Sequence, residues 1–209
     1  MRRTRFQRTD DDEEISEPLL RPLFNDLIDC DDLLDRKDTP FARRTYVRCS
    51  LAFIEGHLYW LKETVRCWLI AHASYLRDVD VNRLVVLQDD LPKPGNTGKL
   101  TLEPSRLPFL PYCACIMRTA AECVGVDADA FFSDNRWNEV RKAIGIRHRI
   151  THPKNASDLE IADNEMETIG EAHRWIYNCM VDITNKINET RVAGGGKADI
   201  SDIGELDTR

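Results

Sequence analysis

The side chains best suited to chemistry lie in one short segment. Residues 141–154 contain no acidic residue, in a chain whose formal net charge is −7. A basic segment of this kind can bind phosphate groups. The alternative, which charge alone favours, is a solvated helix C-terminus where cations offset the helix dipole. The segment's cations and imidazoles are Arg141, Lys142, Arg147, His148, Arg149, His152 and Lys154.

The spacing within this segment constrains any shared site. His148 and His152 are four positions apart, so they lie on nearly the same face of a helix. Arg147 and His152 are five positions apart, which separates them by about 140° around the helix axis. One straight helix therefore does not direct both side chains to one atom. We expect a bend at the helix end or a second copy of the helix, which a two-fold dimer would supply.

His152 is placed where a helix should end, because Pro153 disfavours α geometry in the residue before it. Imidazole is the side chain best matched to acid-base work near neutral pH. The helix dipole favours its cationic form, whereas the neighbouring Arg149 and Lys154 oppose it. The sequence leaves the balance between these effects open.

The elements that must position the segment are helical. Apolar residues recur at alternating steps of three and four over residues 44–77 and again from residue 166 to 187, which predicts two long helices. Shorter helices are predicted at residues 20–35, 107–125 and 137–152, and in part of 79–91. Residues 92–98 form a turn cluster, and no alternating strand pattern persists. We predict an all-α bundle of four to five helices with two long antiparallel members.

The two ends of the chain differ from its middle. Residues 1–18 begin with arginines and continue as an acidic run, which predicts a disordered tail rather than a secretory signal. Residues 191–209 are rich in glycine and polar residues and predict a flexible tail. Residues 19–190 are then the folded domain. No stretch approaches the roughly 20 apolar residues of a membrane span, so we expect a cytoplasmic protein with no membrane partner.

Other polar residues have ordinary interpretations. The seven cysteines lack paired metal-ligand spacing, so we expect buried reduced thiols, no metal site and no cofactor. His173 lies in the apolar seam of the last helix and should be a core histidine. Glu55 could pair with an arginine such as Arg147, although a solvated helix face is the more ordinary role.

The motif resembles a known family. Arg147 and His152, with a polar residue directly after the arginine, are similar to the Arg-polar-x(3)-His signature of HEPN domains. The motif ends the penultimate core helix, and an acidic linker and a long helix follow it. The chain also resembles stand-alone bacterial HEPN-like proteins in three stretches, at residues 146–167, 53–56 and 60–64. The resemblance covers roughly residues 20–190.

The resemblance implies an HEPN-like bundle and a metal-independent endoribonuclease of the toxin or defence type, acting as a homodimer with a composite site. Arg147 would hold the scissile phosphate. His152 would act as general base or acid in the attack of the 2′-hydroxyl, and His148 would orient the phosphate. The remaining cations of the segment would bind substrate, and a neutralising partner protein could accompany such an enzyme. These cations are Arg149, Lys154, Arg141 and Lys142.

Two positions depart from the family pattern. His148 stands where asparagine is common. Lys154 stands where one branch of the family carries a tyrosine, so adenylylation at that tyrosine is not supported. Two alternatives stay open: a non-catalytic module that binds RNA or nucleotides, and a purely structural helical interaction protein.

Overall fold

The computed structural model describes residues 19–71, 85, 87–88, 90–94, 96–104, 107–133 and 135–193. These residues form six α-helices, one 3-10 turn and one β-hairpin. The predicted tail at residues 1–18 and most of segment 79–91 lie outside the described residues. Of the predicted tail at 191–209, residues 191–193 belong to the last helix and the rest lies outside the described residues. The elements are α1 (Leu20–Arg36), α2 (Pro40–Ala71), β1 (Asp90–Pro94), β2 (Leu100–Pro104), α3 (Phe109–Cys123), α4 (Asp129–Ser133), α5 (Arg136–Thr151), the 3-10 turn Ala156–Leu159 and α6 (Asp163–Ala193).

The predicted all-α class is confirmed, and the two apolar seams form its core. Both long helices turn their apolar seams towards the interior, where most of the seam side chains pack together in one core cluster. The helix α2 begins at Pro40, four residues before its predicted start. None of the helices in the described residues is long and apolar enough to cross a membrane. Buried seam residues include Val47, Leu51, Ile54, Leu58, Leu61 and Val65 on α2 and Ile169, Ile176, Met180, Ile183 and Ile187 on α6.

The direction of the two long helices differs from the prediction. Arg43 at the start of α2 binds Asp163 at the start of α6. Further along, Phe53 stacks on His173, at the same offset of 120 positions in the chain. Contacts that advance together in this way mean that α2 and α6 run parallel, so the predicted antiparallel pairing is wrong. An apolar seam shows which face is buried but carries no information about direction.

The helix α5 runs antiparallel to α2 and so brings its C-terminal end back to the first half of that helix. Arg147 contacts Glu55, and three residues later the carbonyl of Ile150 accepts from Arg48. Contacts that run in opposite directions along the two helices define this arrangement. The basic end of α5 therefore lies beside the N-terminal half of α2.

The hairpin was not predicted. Strands β1 and β2 pair antiparallel from Asp90 opposite Pro104 to Pro94 opposite Leu100. Gly98, with a φ of 76°, lies in the connecting turn, where glycine adopts this conformation without strain. Nearly every strand residue is exposed. Neither face is buried, so the alternating pattern that marks a half-buried strand is absent.

Candidate functional site

The basic segment ends a helix, as predicted. The helix α5 stops at Thr151, and His152 caps it with a φ of −125° and a ψ of 60°. The N–H of His152 still donates to the carbonyl of His148 at 3.0 Å. The Thr151 hydroxyl donates to the carbonyl of Arg147 at 2.7 Å. The first bond satisfies a carbonyl of the last turn that the helix itself leaves unpaired, and the second adds a side-chain donor to the carbonyl of Arg147.

Arg147 is held by Glu55. Its Nη1 donates to Oε1 at 2.5 Å and its Nη2 donates to Oε2 at 3.1 Å. The two side chains are 36% and 34% exposed. The expectation that Glu55 lies on a solvated helix face was therefore wrong, because the antiparallel packing of α2 and α5 directs it at Arg147. The fork uses two of the five N–H donors of the guanidinium, and no other acceptor in the described chain engages the remaining three.

His148 and His152 follow Arg147 at the same end of α5. Their ring centroids are 4.9 Å apart, with an angle of 55° between the rings. Both residues are exposed. Among the described residues, no hydrogen bond joins His152 to Arg147. Within one chain, the last turns of α5 therefore carry two separate pairs. Arg147 is paired with Glu55, and His148 is paired with His152.

Arg149 has a structural role. Its Nη1 donates to the carbonyls of Asp158 at 3.0 Å and Glu160 at 2.8 Å. Its Nη2 donates to Oε1 of Glu165 at 2.7 Å. These bonds tie the linker after α5 to the helix α6. The prediction of Arg149 as a substrate-binding residue is not favoured by this geometry, since its guanidinium is already committed to protein acceptors.

Arginines of α2 fix the same linker from the other side. Arg43 donates to the carbonyl of Ile161 at 2.8 Å, and Arg44 donates to the carbonyl of Leu159 at 3.1 Å. Arg48 donates to the carbonyl of Ile150 at 3.4 Å. The turn that carries His152 is therefore anchored both before and after, which holds its exposed side chains in place.

Lys154 begins a capped turn. Its backbone N–H donates to Oδ2 of Asp158 at 2.7 Å. Asn155 and Asp158 cap the 3-10 turn reciprocally. The residue is exposed, so a phosphate contact by its ammonium group stays a prediction.

Arg141 and Lys142 lie elsewhere. They border a shallow depression together with Asn138, and Lys142 binds Glu139 at 2.7 Å. Arg141 precedes His152 by roughly 16 Å along the helix axis. Arg141 precedes His148 by about 10 Å and lies on nearly the same helical face. Both predicted substrate-binding residues are therefore about two to three turns before the paired histidines.

A cavity opens next to the ion pair. Its volume is about 240 Å³, and it lies between α2 and α3. Glu55 belongs both to its wall and to the bond with Arg147. The aromatic side chains of this cavity were not predicted as functional from the sequence. The one available signal was that positions 55, 58 and 59 share one helical face. The cavity is lined by Glu55, Leu58, Tyr59, Gln88, Leu107, Phe109 and Tyr112.

The remaining histidines of the described chain belong to the core. His173 is buried, as predicted, and its ring stacks on Phe53 with centroids 5.6 Å apart. His57 is also buried, edge-on to the same ring at 5.9 Å. Burial lowers the pKa of each imidazole to about 4. Both are therefore neutral at physiological pH.

The cysteines are free thiols. The prediction that they are buried holds for Cys30, Cys113 and Cys179, whereas the other four are half-buried. Cys113 is fully buried, and that burial raises its pKa to about 12. Cys30 and Cys49 join α1 to α2, with their Sγ atoms 3.3 Å apart. In the part of the chain that the structure describes, no group of three or more His, Cys, Asp or Glu side chains is placed to hold a metal ion.

Comparison with known proteins adds no relative. No family model, no curated protein and no solved structure matches this chain. The resemblance to HEPN domains therefore rests on the motif, its place at the helix end and the helical bundle around it.

Proposed function

We propose that this protein is a metal-independent endoribonuclease of the HEPN type. The observation that carries the proposal is the last turn of α5. It presents two exposed imidazoles with ring centroids 4.9 Å apart, and the same turn carries Arg147, whose guanidinium binds Glu55. Two imidazoles can serve as a general base and a general acid, and a guanidinium can stabilise the charge of a phosphoryl transition state.

The reaction would be an internal transfer on RNA. The ribose 2′-oxygen attacks the adjacent phosphorus, and one imidazole accepts the 2′-hydroxyl proton. The bond between phosphorus and the 5′-oxygen breaks, and a second, protonated imidazole donates a proton to that leaving oxygen. The products carry a 2′,3′-cyclic phosphate and a 5′-hydroxyl. Arg147 would hold the phosphate with the donors that Glu55 leaves unused.

We propose further that the enzyme is a homodimer. Arg147 and His152 are about 140° apart around the axis of α5, so one helix end does not direct both side chains to one phosphate. Two α5 ends facing each other across a two-fold axis would provide it. Proteins of this kind are expected in the cytoplasm, where a neutralising partner could restrain a toxic activity.

The test is cleavage of single-stranded RNA in EDTA. Wild type should cleave, whereas Arg147→Ala, His148→Ala and His152→Ala should each lose about 100-fold or more. Lys186→Ala is a matched control, because it removes an exposed cation of α6 about 30 Å from the linker. Equal activity in all variants, or cleavage only with added metal, contradicts the proposal.

Mixing two inactive variants tests the composite site. If Arg147 of one subunit acts with His152 of the other, Arg147→Ala and His152→Ala should partly restore activity when refolded together. A mixed dimer that stays inactive would place both residues in the same subunit's site.

One observation favours the second candidate, a non-catalytic module that binds RNA or nucleotides. The Glu55 carboxylate occupies part of the guanidinium that catalysis needs. RNA binding that depends on Arg147, together with no product in any condition, would support this function instead.

A further inference from the structure

The cavity between α2 and α3 has the composition of a site for a flat ring. Leu58 forms its buried base, and the rings of Tyr59, Phe109 and Tyr112 line its walls. Aromatic side chains offer faces on which nucleobases stack. The carboxylate of Glu55 and the carboxamide of Gln88 supply the polar groups at the wall. Apolar walls with a few polar groups are typical of small-molecule sites.

This surface is not simply an unfinished part of the core. Tyr59 is 47% exposed and Leu107 is 43% exposed, although both border the cavity. The Nζ of Lys62 lies 4.3 Å from the centroid of the Tyr59 ring, which positions that ring from one side. Phe109 and Tyr112 pack against the core, whereas the exposed Tyr59 ring leaves one face open beside the cavity.

The volume limits what can enter. About 240 Å³ is below the roughly 300–1,000 Å³ of pockets that enclose whole drug-sized ligands. A single nucleobase fits, whereas its sugar and phosphate must stay outside. Glu55 is the wall of the cavity and also the partner of Arg147, so a phosphate attached to the bound nucleoside would lie at the guanidinium.

We propose that this cavity is a nucleobase subsite, which binds the base of the nucleotide whose phosphate Arg147 holds. The proposal rests on the proposed function for its choice of ligand and adds the residues that bind the base. Tyr59 stacks on the base with its free face, Phe109 and Tyr112 line the cavity around it, and Arg147 binds the phosphate.

The test measures binding without cleavage, in a His152→Ala background. Calorimetry compares adenosine and uridine 3′-monophosphates with ribose phosphate, which lacks a base. A nucleotide should bind at least ten-fold more tightly than ribose phosphate, since stacking of one base contributes about that much. Tyr59→Ala should remove most of this difference, and Tyr59→Phe should keep it. Phe41→Ala is the matched control, an aromatic residue of α2 that is 63% exposed and outside the cavity.

The outcomes separate the two proposals. Equal affinity for ribose phosphate and nucleotides, or a base preference that survives Tyr59→Ala, overturns the subsite even if the protein cleaves RNA. Base-dependent binding lost in Tyr59→Ala supports the subsite even if no RNA is cleaved, and the endoribonuclease proposal would then fail alone. A circular dichroism melt of each variant identifies any that fails to fold. If Tyr59→Ala fails to fold, Tyr112→Leu is tested in its place.

Discussion

Replacing Glu55 by glutamine tests how the ion pair shapes the site. The amide keeps the size of the side chain and one oxygen acceptor for Arg147, but it removes a negative charge from the place where a phosphate would bind. We therefore expect Glu55→Gln to bind RNA more tightly than wild type, whereas Arg147→Ala should bind it more weakly.

The geometry sets the size of the effect. Two anions bound to one guanidinium are roughly 6 Å apart, and their repulsion is about 0.7 kcal/mol in water and about 3 kcal/mol near a protein surface. Both side chains of the pair are about a third exposed, so solvent screens the interaction and the lower end applies. About 1 kcal/mol corresponds to a roughly five-fold lower Kd. The same screening limits the loss of folding stability to about 1 kcal/mol or less.

The assay is fluorescence anisotropy of a short single-stranded RNA, in a His152→Ala background that keeps the RNA intact. Glu189→Gln is the control, because Glu189 is an ion-paired acid near the C-terminal end of α6, bound to Lys186 at 2.6 Å and outside the site. Its Kd should not change. Unchanged or weaker binding by Glu55→Gln would refute the idea that Arg147 receives the phosphate.

Three further predictions concern the scaffold. Arg149→Met should lower the free energy of unfolding by about 2 kcal/mol, because the linker loses charged hydrogen bonds; a urea midpoint equal to wild type would contradict this. The pKa values of about 4 for His57 and His173 mean that the unfolded chain binds more protons between pH 6.5 and 4. The free energy of unfolding should therefore fall as pH drops through this window, by up to about 3 kcal/mol per histidine. If urea titrations give the same pH dependence of unfolding for wild type and His57→Leu, the reasoning is wrong. Gly56→Ala should be about 1 kcal/mol less favourable than Gly170→Ala in thermal melts, since a Cβ at residue 56 would clash with a methyl of Leu23 on α1 whereas residue 170 has open space; equal melting temperatures would mean that this methyl moves aside freely.

Much of the helical architecture follows from local rules. Pro153 predicts the end of α5, and the helix stops at Thr151. Gly125 predicts the end of α3, and it has a φ of 70° just after that helix. Residues such as Leu51 and Ile176 predict buried faces, and both are at most 1% exposed. These features depend on neighbours within a turn or two of the chain.

The site depends on contacts between distant parts of the chain. Arg147 and Glu55 are 92 positions apart, and their pairing requires the direction and rotation of two helices. An apolar seam likewise carries no information on whether α2 and α6 run parallel or antiparallel. The segment 141–154 is continuous in sequence, yet folding turns Arg149 towards the linker and leaves Arg141 about three turns away from His152.

The chemistry of the cleaved ends tests the central claim most directly. An RNA oligonucleotide incubated with the wild-type protein in EDTA should yield fragments with a 2′,3′-cyclic phosphate and a 5′-hydroxyl, as mass spectrometry would show. The same oligonucleotide with a 2′-deoxyribose at the cleaved position should stay intact there. Fragments that carry a 3′-hydroxyl and a 5′-phosphate, or equal cleavage of the deoxy substrate, would contradict attack by the 2′-oxygen.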